Sequence, residues 1–224
     1  MSIPPLAPYA MPREPARNRV RWRPAPHRAA LLIHDMQDYF LGKYDVTQAP
    51  IPDLIAAIGR LRDHCHALDI PVYYTAQPSV QPKADRALLN DFWGPGLTAP
   101  EHREGARIVA ALEPRPQDTV LTKWRYSAFQ RSDLRERLRA QGRDQLIITG
   151  VYAHIGCLST ALEAFMQDIQ PFLAIDACAD FSLEDHGMAV THVARRCGVS
   201  LTLAEILAAL APQAARPTLR ETPA

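Results

Sequence analysis

The sequence predicts a three-layer, Rossmann-like α/β fold in which helices cover both faces of a six-stranded parallel sheet. Short apolar runs alternate with amphipathic segments along the chain, which is the pattern of successive strand and helix units. The run in "RAALLIH" is continuously apolar, as expected for a strand that is buried on both faces. The length of 224 residues accommodates one such domain and hardly a second.

Six apolar runs are predicted to form the strands of this sheet. They are Arg28–His34, Pro71–Ala76, Asp118–Lys123, Asp144–Gly150, Pro171–Asp176 and a run that begins at Val199. Segments with apolar residues at helical spacing lie between and after them. These predicted helices are Ile51–Leu68, Ser132–Gly142, Cys157–Asp168, a segment that opens at Ser182, and a last one in "LAEILAAL".

Some of these helices carry recognisable end signals. Ser132 is a plausible N-cap of its helix, and Gly142 is a plausible residue just beyond the C-terminal end. Ser182 and Asp185 have the spacing of a capping box. Outside the domain, predicted at residues 28–210, we expect a proline-rich extended arm at residues 1–27 and a flexible tail at 211–224.

Composition argues against several classes of partner and cofactor. A formal net charge of +1 gives no bulk attraction to nucleic acid. No window approaches the roughly 18 apolar residues of a membrane helix, and no signal peptide is visible, so we expect a cytoplasmic protein. The four cysteines form no C-x-x-C pair, so zinc-site spacing is absent, and we predict no metal and no cofactor.

Ligands of parallel α/β sheets bind beyond the carboxyl ends of the strands, which makes the residues there candidates for a site. Asp35 directly follows the first strand; it is either a loop acid or a buried carboxyl that can transfer a proton. Lys123 ends the third strand and either reaches solvent or pairs with Asp35, if the two strands are neighbours.

The long connection after the second strand contributes Gln77, Arg86 and Trp93. Arginine is the usual bidentate partner of a carboxylate, although Arg86 could equally form a surface salt bridge and Trp93 could pack in the core. His34 and His154 could suggest a metal, but their spacing in the sequence does not establish one, and we expect a metal-free role.

The stretch "TGVYAHIGCLSTALEAF" raises the question of whether Cys157, at the start of a helix, is a nucleophile. A shift of one residue at a helix start turns a side chain by about 100°, so position alone does not decide where Cys157 points.

Four segments carry a family resemblance, and they are "RAALLIHDMQDYFL", "YYTAQPSVQPKADRALLNDFWGPGL", "VLTKWRYSAF" and "GRDQLIITGVYAHIGCLSTALEAFMQDIQPFLAIDACADFS". Together they resemble the isochorismatase-like hydrolases, and closely the true isochorismatases, over roughly Pro4 to Leu207. The most specific are "HDMQDYF", "KWRYSAF" and "GVYAHIG", in this order. Cysteine hydrolases of this superfamily use an Asp–Lys–Cys triad whose cysteine lies four residues before a Thr-Ala pair. Because that pair resembles Thr160–Ala161, the resemblance places Gly156 at the nucleophile position and leaves Cys157 one residue late.

The resemblance implies hydrolysis of the vinyl ether of isochorismate, or of its 2-amino-2-deoxy analogue, by general acid catalysis without a covalent nucleophile. Asp35 would be the acid, Lys123 would orient it, and Gly156 would let the substrate approach the backbone with a free N–H. Substrate contacts would come from Gln77, Arg86, Trp93 and Tyr152, with Tyr126 and Phe40 as weaker candidates. A cysteine amidohydrolase that uses Cys157 is the alternative.

The resemblance also bears on partners. Many siderophore isochorismatases carry an aryl carrier domain with a Gly-x-Asp-Ser motif, which this sequence does not contain, so a stand-alone enzyme of the siderophore or phenazine type is expected. The proline-rich arm and the apolar helices suggest a homodimer. The expected ligand is a small dicarboxylate; the sequence does not separate isochorismate from its amino analogue.

Overall fold

A computed structural model of the chain describes residues 3–211. Its centre is a six-stranded sheet in which every neighbouring pair of strands is parallel, with the order β3-β2-β1-β4-β5-β6. The strands are β1 (Ala29–His34), β2 (Val72–Ala76), β3 (Thr119–Thr122), β4 (Gln145–Val151), β5 (Gln170–Ala179) and β6 (Val199–Leu201). The predicted fold class and all six strands are confirmed.

Two helical layers cover the sheet, one on each face. The α-helices are α1 (Asp38–Leu41), α2 (Ile51–Ala67), α3 (Lys83–Arg86), α4 (Leu89–Trp93), α5 (Leu134–Ala140), α6 (Leu158–Met166), α7 (Leu183–His192) and α8 (Leu203–Leu210). Helices α2 and α8 pack into one core, whereas α5, α6 and α7 pack into the other. Side chains of β1 enter the two cores alternately, since successive strand residues point to opposite faces.

The strand order places the site. Successive strands run outward from β1 to β3 on one side, and the chain then returns to add β4, β5 and β6 on the other. The crevice between the carboxyl ends of β1 and β4 is therefore the topological switch point, where open α/β sheets bind ligands. Asp35 follows β1 and the segment from Tyr152 to Gly156 follows β4, so both border this crevice.

The structure differs from the predicted elements in four places, two of which are the N-terminal ends of α5 and α7. Asp133, and not Ser132, takes the N-cap position of α5; the Ser132 hydroxyl donates to the Ala128 carbonyl and accepts the Leu134 N–H at 3.4 Å. Ser182 does cap α7, but the Asp185 carboxylate accepts from the Ser182 hydroxyl instead of the backbone, so no reciprocal box forms. A complete capping box joins Thr202 and Glu205 at α8.

The other two differences concern the segment around β4, β5 and α6. A π-helical turn, Ala153–Cys157, precedes α6, so that helix begins at Leu158. Strand β5 continues three residues beyond the predicted Asp176, where Cys178 and Ala179 pair with Gly150 and Val151 of β4. Gly142 lies past the end of α5 with φ +63°, as predicted.

The N-terminal segment lies along the domain without forming a helix or a strand between residues 3 and 28. Backbone hydrogen bonds join Leu6 to Lys43, and Asn18 bonds both backbone groups of Ser200. The predicted tail lies outside the described residues apart from Ala211. Within residues 3–211, no helix combines the length and apolar character that crossing a bilayer requires.

Candidate active site

A pocket opens at the carboxyl ends of β1, β2 and β4, with about 600 Å³ of free space including its mouth. All nine residues that the sequence analysis assigned to the site line this one pocket. They are Asp35, Phe40, Gln77, Arg86, Trp93, Lys123, Tyr126, Tyr152 and Gly156.

The floor of the pocket holds a buried ion pair. Lys123 Nζ donates to Asp35 Oδ2 at 3.0 Å, and both residues are 4% exposed. The sequence analysis expected this pair only if the two strands were neighbours. They are not, because β2 lies between β1 and β3. The pair forms because both side chains project beyond the end of β2, where Thr75 donates to Asp35 Oδ1 at 2.6 Å.

The backbone of Asp35 is held in an unusual conformation. Its φ of +49° lies in the left-handed region, which is unfavourable for a residue with a Cβ. The Asp35 N–H donates to the Thr75 hydroxyl at 3.1 Å, so Thr75 bonds the main chain and the carboxylate together. Sequence reasoning missed Thr75, because a threonine inside a strand carries no distinguishing signal.

Opposing effects act on the Asp35 carboxyl. Burial alone would raise its pKa, but the Lys123 ammonium, His34 and the Thr75 hydrogen bond together outweigh burial and lower the pKa below its ordinary value. In the ligand-free protein Asp35 is therefore a carboxylate at neutral pH.

Positive charge dominates the rest of the pocket. Arg86 is 4% exposed, and its Nε donates to the Gly94 carbonyl at 3.0 Å. Among the described residues no carboxylate pairs with this guanidinium, and burial lowers its pKa. Arg125, which the sequence analysis did not single out although it lies in "KWRYSAF", also lines the pocket and donates to the Asp85 and Trp124 carbonyls. Such a pocket suits an anionic ligand.

Aromatic side chains form the wall. Trp93 Nε1 donates to the Tyr126 hydroxyl at 2.9 Å, and the Tyr152 hydroxyl donates to the Phe40 carbonyl at 2.9 Å. The Tyr152 ring stacks edge-to-face on both Phe40 and Phe181. Because these polar ends are paired, the wall presents mainly ring surface to a ligand.

A buried glutamine orients the Gln77 segment. Gln37 accepts the Gln77 N–H at 2.8 Å and donates to the Gln77 carbonyl at 2.9 Å. A further bond joins Gln37 to the Ala106 carbonyl. Gln37 thus fixes the main chain beside the pocket, a role that no sequence signal revealed.

The structure answers the question about Cys157. The thiol is fully buried in the core beneath α6, its Sγ lies 3.8 Å from the Thr149 carbonyl oxygen, and it does not line the pocket. Burial, reinforced by the neighbouring Cys178, raises its pKa well above the ordinary value. Cys157 is therefore not placed or ionised as a nucleophile.

The expectation of a free N–H at Gly156 is wrong, whereas the approach of a substrate to the Gly156 backbone stays a prediction. Its N–H is not free for a substrate, because it donates to the Tyr152 carbonyl at 3.1 Å. Its missing side chain does not leave open space either: an ideal Cβ would lie 2.0 Å from Cε1 of His34. The imidazole occupies the volume that a side chain at position 156 would need.

The two histidines near the site do not come together. His34 Nδ1 lies 2.8 Å from the Val151 carbonyl oxygen, whereas His154 Nδ1 pairs with the Asp180 carboxylate. No group of three metal-ligating side chains occurs within residues 3–211. Burial, followed by the charge of Lys123, lowers the pKa of His34 to about 4, so its imidazole is neutral at pH 7.

Comparisons with known proteins identify the family that this chain resembles. The isochorismatase domain family model matches residues 29–205. The chain is 53% identical over 209 residues to the isochorismatase of Bacillus subtilis, covering 92% of this chain and 66%, or just under two thirds, of that one. It is 53% identical to enterobactin synthase component B of Escherichia coli, with 99% and 77% covered. It is 48% identical to phenazine biosynthesis protein PhzD of Pseudomonas fluorescens, with 92% and 98% covered.

Solved structures share the fold. A cysteine hydrolase from Pseudomonas syringae superposes with a TM-score of 0.76 at 24% identity, over 85% of this chain and 95% of that one. At this identity the likeness concerns the fold alone. A protein described as a cysteine hydrolase therefore has the same fold as this chain.

Proposed function

The chain belongs to the isochorismatase family, and we propose that it hydrolyses the vinyl ether of isochorismate or of 2-amino-2-deoxyisochorismate. Water and the ether give pyruvate and the ring product, 2,3-dihydro-2,3-dihydroxybenzoate or its amino counterpart. The observation that carries the proposal is a buried carboxyl, Asp35, at the floor of a cationic pocket in which residue 156 has no side chain to act as a nucleophile.

The chemistry of a vinyl ether explains why an acid is sufficient. Transfer of a proton to the terminal enol carbon gives an oxocarbenium ion, which water captures as a hemiketal. Collapse of the hemiketal releases pyruvate and returns the ring oxygen as a hydroxyl. No carbonyl has to be attacked in the first step, so the inaccessible thiol of Cys157 is no obstacle.

Asp35 must be protonated before it can act as the general acid. In the free pocket Lys123 holds the pKa of Asp35 below its ordinary value. A dianionic substrate placed beside this carboxylate raises its proton affinity, because like charges disfavour ionisation and the ligand excludes water. Asp35 therefore takes up its proton as the substrate binds, and Lys123 then stabilises the carboxylate that remains after the transfer.

The cationic side chains account for binding. The desolvated guanidinium of Arg86, which has no carboxylate partner among the described residues, suits one carboxylate of the substrate. Lys123 and Arg125 also line the pocket and supply further positive charge. Gln77 offers an amide, and the rings of Trp93, Tyr126, Tyr152 and Phe40 enclose the cyclohexadiene.

A pyruvate-release assay tests the proposal, with isochorismate and its 2-amino-2-deoxy analogue offered side by side. Wild-type protein should release pyruvate from at least one of them, and Asp35→Asn protein should not. Asp133→Asn is the matched control, because it removes an exposed carboxylate far from the pocket. Absence of pyruvate from wild-type protein with both substrates would refute the proposal.

Three finer expectations remain predictions. The domain boundaries at residues 28 and 210, the homodimer and the cytoplasmic location each follow from the sequence analysis alone. Light scattering at micromolar concentration decides between a dimer and a monomer of 24.9 kDa.

A further inference from the structure

His34 is a wholly buried titratable side chain that the proposed mechanism does not use. It is the last residue of β1, is 1% exposed and lines the pocket beside Asp35, whose Oδ2 lies 3.8 Å from His34 Nδ1. A buried imidazole next to a reactive carboxyl requires an explanation, since polar groups of this kind are costly to bury.

Two glycines make room for this residue. A Cβ at Gly156 would lie 2.0 Å from Cε1 and 2.6 Å from Nε2 of the His34 ring. A Cβ at Gly150, which pairs with His34 across the sheet and has φ +104°, would lie 2.1 Å from the His34 carbonyl oxygen. Separations under 3 Å exclude a side chain at both positions, but for different reasons: Gly150 would meet the backbone of residue 34, whereas Gly156 would meet the His34 ring, so only Gly156 depends on the His34 side chain.

The ring also connects the two loops that form opposite sides of the pocket. His34 Nδ1 lies 2.8 Å from the carbonyl oxygen of Val151, which precedes Tyr152 and Gly156. His34 Nε2 lies 3.2 Å from the carbonyl oxygen of Tyr126, three residues after Lys123. A neutral imidazole carries one N–H, and the shorter contact assigns it to Nδ1, so that Nε2 faces the Tyr126 carbonyl without donating a hydrogen bond to it.

We propose that His34 is a positioning residue: its ring fills the space of a side chain at position 156 and sets the spacing between the Lys123–Tyr126 loop and the Tyr152–Gly156 turn. The proposal deepens the proposed function, on which its kinetic part rests. It has a chemical consequence, because a side chain at 156 would stand beside Asp35 and Lys123. His34 and Gly156 together keep that place free of any nucleophile and reserve the carboxyl for proton transfer.

A stability cycle tests the steric part without any substrate. Gly156→Ala should lower the Tm by about 5 °C or more, because overpacking a rigid site is destabilising. The same substitution in a His34→Ala background should cost little, because the methyl group enters the space that the ring has left. A Gly156→Ala protein as stable as wild type, or an equal cost in both backgrounds, would overturn the proposal.

Kinetics test the positioning part. His34→Leu keeps much of the volume and removes the N–H, so kcat should fall about 10- to 100-fold, since small displacements of catalytic groups cost that much. His34→Gln keeps a donor and should recover part of kcat. His186→Leu is the matched control, because His186 is also fully buried but lies outside the pocket.

The two parts separate failure of this inference from failure of the proposed function. If His34→Leu loses no more kcat than His186→Leu, His34 has only a structural role and the proposal is wrong. If no protein, wild type included, releases pyruvate, the proposed function fails, and the stability cycle alone then decides whether His34 and Gly156 are sterically paired.

Discussion

Replacing Asp35 with Asn should reduce both turnover and stability, although the two side chains have nearly the same shape. The carboxylate is the only acidic partner of Lys123 among the described residues, and both are almost fully buried. At the 3.0 Å separation of Nζ and Oδ2, and an effective dielectric constant of about 20, the attraction amounts to about 5 kcal/mol. The substitution leaves a buried ammonium without a counter-charge.

Breaking a buried ion pair by removing one partner typically costs about 3–5 kcal/mol. For a chain of this size that corresponds to a decrease in Tm of about 10 °C. Loss of the proton donor should also lower kcat, independently of the loss of stability, by about 10²–10⁴-fold. Asp133→Asn breaks an exposed pair with Arg137 and should lower the free energy of unfolding by no more than about 1 kcal/mol. Its Tm should therefore change much less than that of Asp35→Asn.

A double variant separates the two effects. Asp35→Asn/Lys123→Met removes the unpaired charge, so most of the lost stability should return while activity stays absent. Thermal unfolding and pyruvate release would be measured on wild type, both single variants and the double variant. The reasoning is refuted if Asp35→Asn keeps more than a tenth of the wild-type kcat, or if the double variant is less stable than either single one.

Three further outcomes are expected. Arg86→Gln should raise KM about 10- to 100-fold because a charge-assisted bond to a substrate carboxylate is lost, and Arg137→Gln should not; equal KM values contradict the assignment. Cys157→Ala should cost about 1 kcal/mol of stability and little turnover, and the control Cys65→Ala should do the same; a stable but inactive Cys157→Ala protein restores the cysteine mechanism. The pKa of His34, lowered to about 4, makes the folded protein lose up to about 3 kcal/mol as pH falls from 6.5 to 4, and His34→Gln should flatten that slope in urea titrations; an unchanged slope contradicts it.

The sequence by itself determined the architecture and singled out nine of the residues that line the pocket, although not Arg125. Continuous apolar runs that alternate with amphipathic segments are compatible with little other than a covered parallel sheet, and each of the six runs forms a strand. Because the carboxyl ends of parallel strands meet at one edge, residues that follow different strands, such as Asp35, Gln77 and Lys123, come together in one pocket. This prediction needs only the order of the elements.

Local signals were less reliable where a side chain had a choice of partner. Ser132 has the right type and place for an N-cap, yet its hydroxyl bonds the preceding turn. Thr75 and Gln37 are ordinary in the sequence, yet Thr75 holds the Asp35 carboxyl and Gln37 holds the Gln77 main chain. Hydrogen bonds between residues forty positions apart depend on how strands are stacked, and no local pattern encodes that distance.

Only the tertiary structure decided the direction of individual side chains at the site. Lys123 reaches Asp35 although β2 separates their strands, because both extend past the end of that strand. Cys157 and Gly156 are adjacent in sequence, but the π-helical turn points the thiol into the core and leaves Gly156 facing the pocket. The space beside Gly156 belongs to the ring of His34, more than a hundred residues earlier in the chain. Such occupancy is a property of close packing among distant segments, which a linear pattern of residue types does not specify.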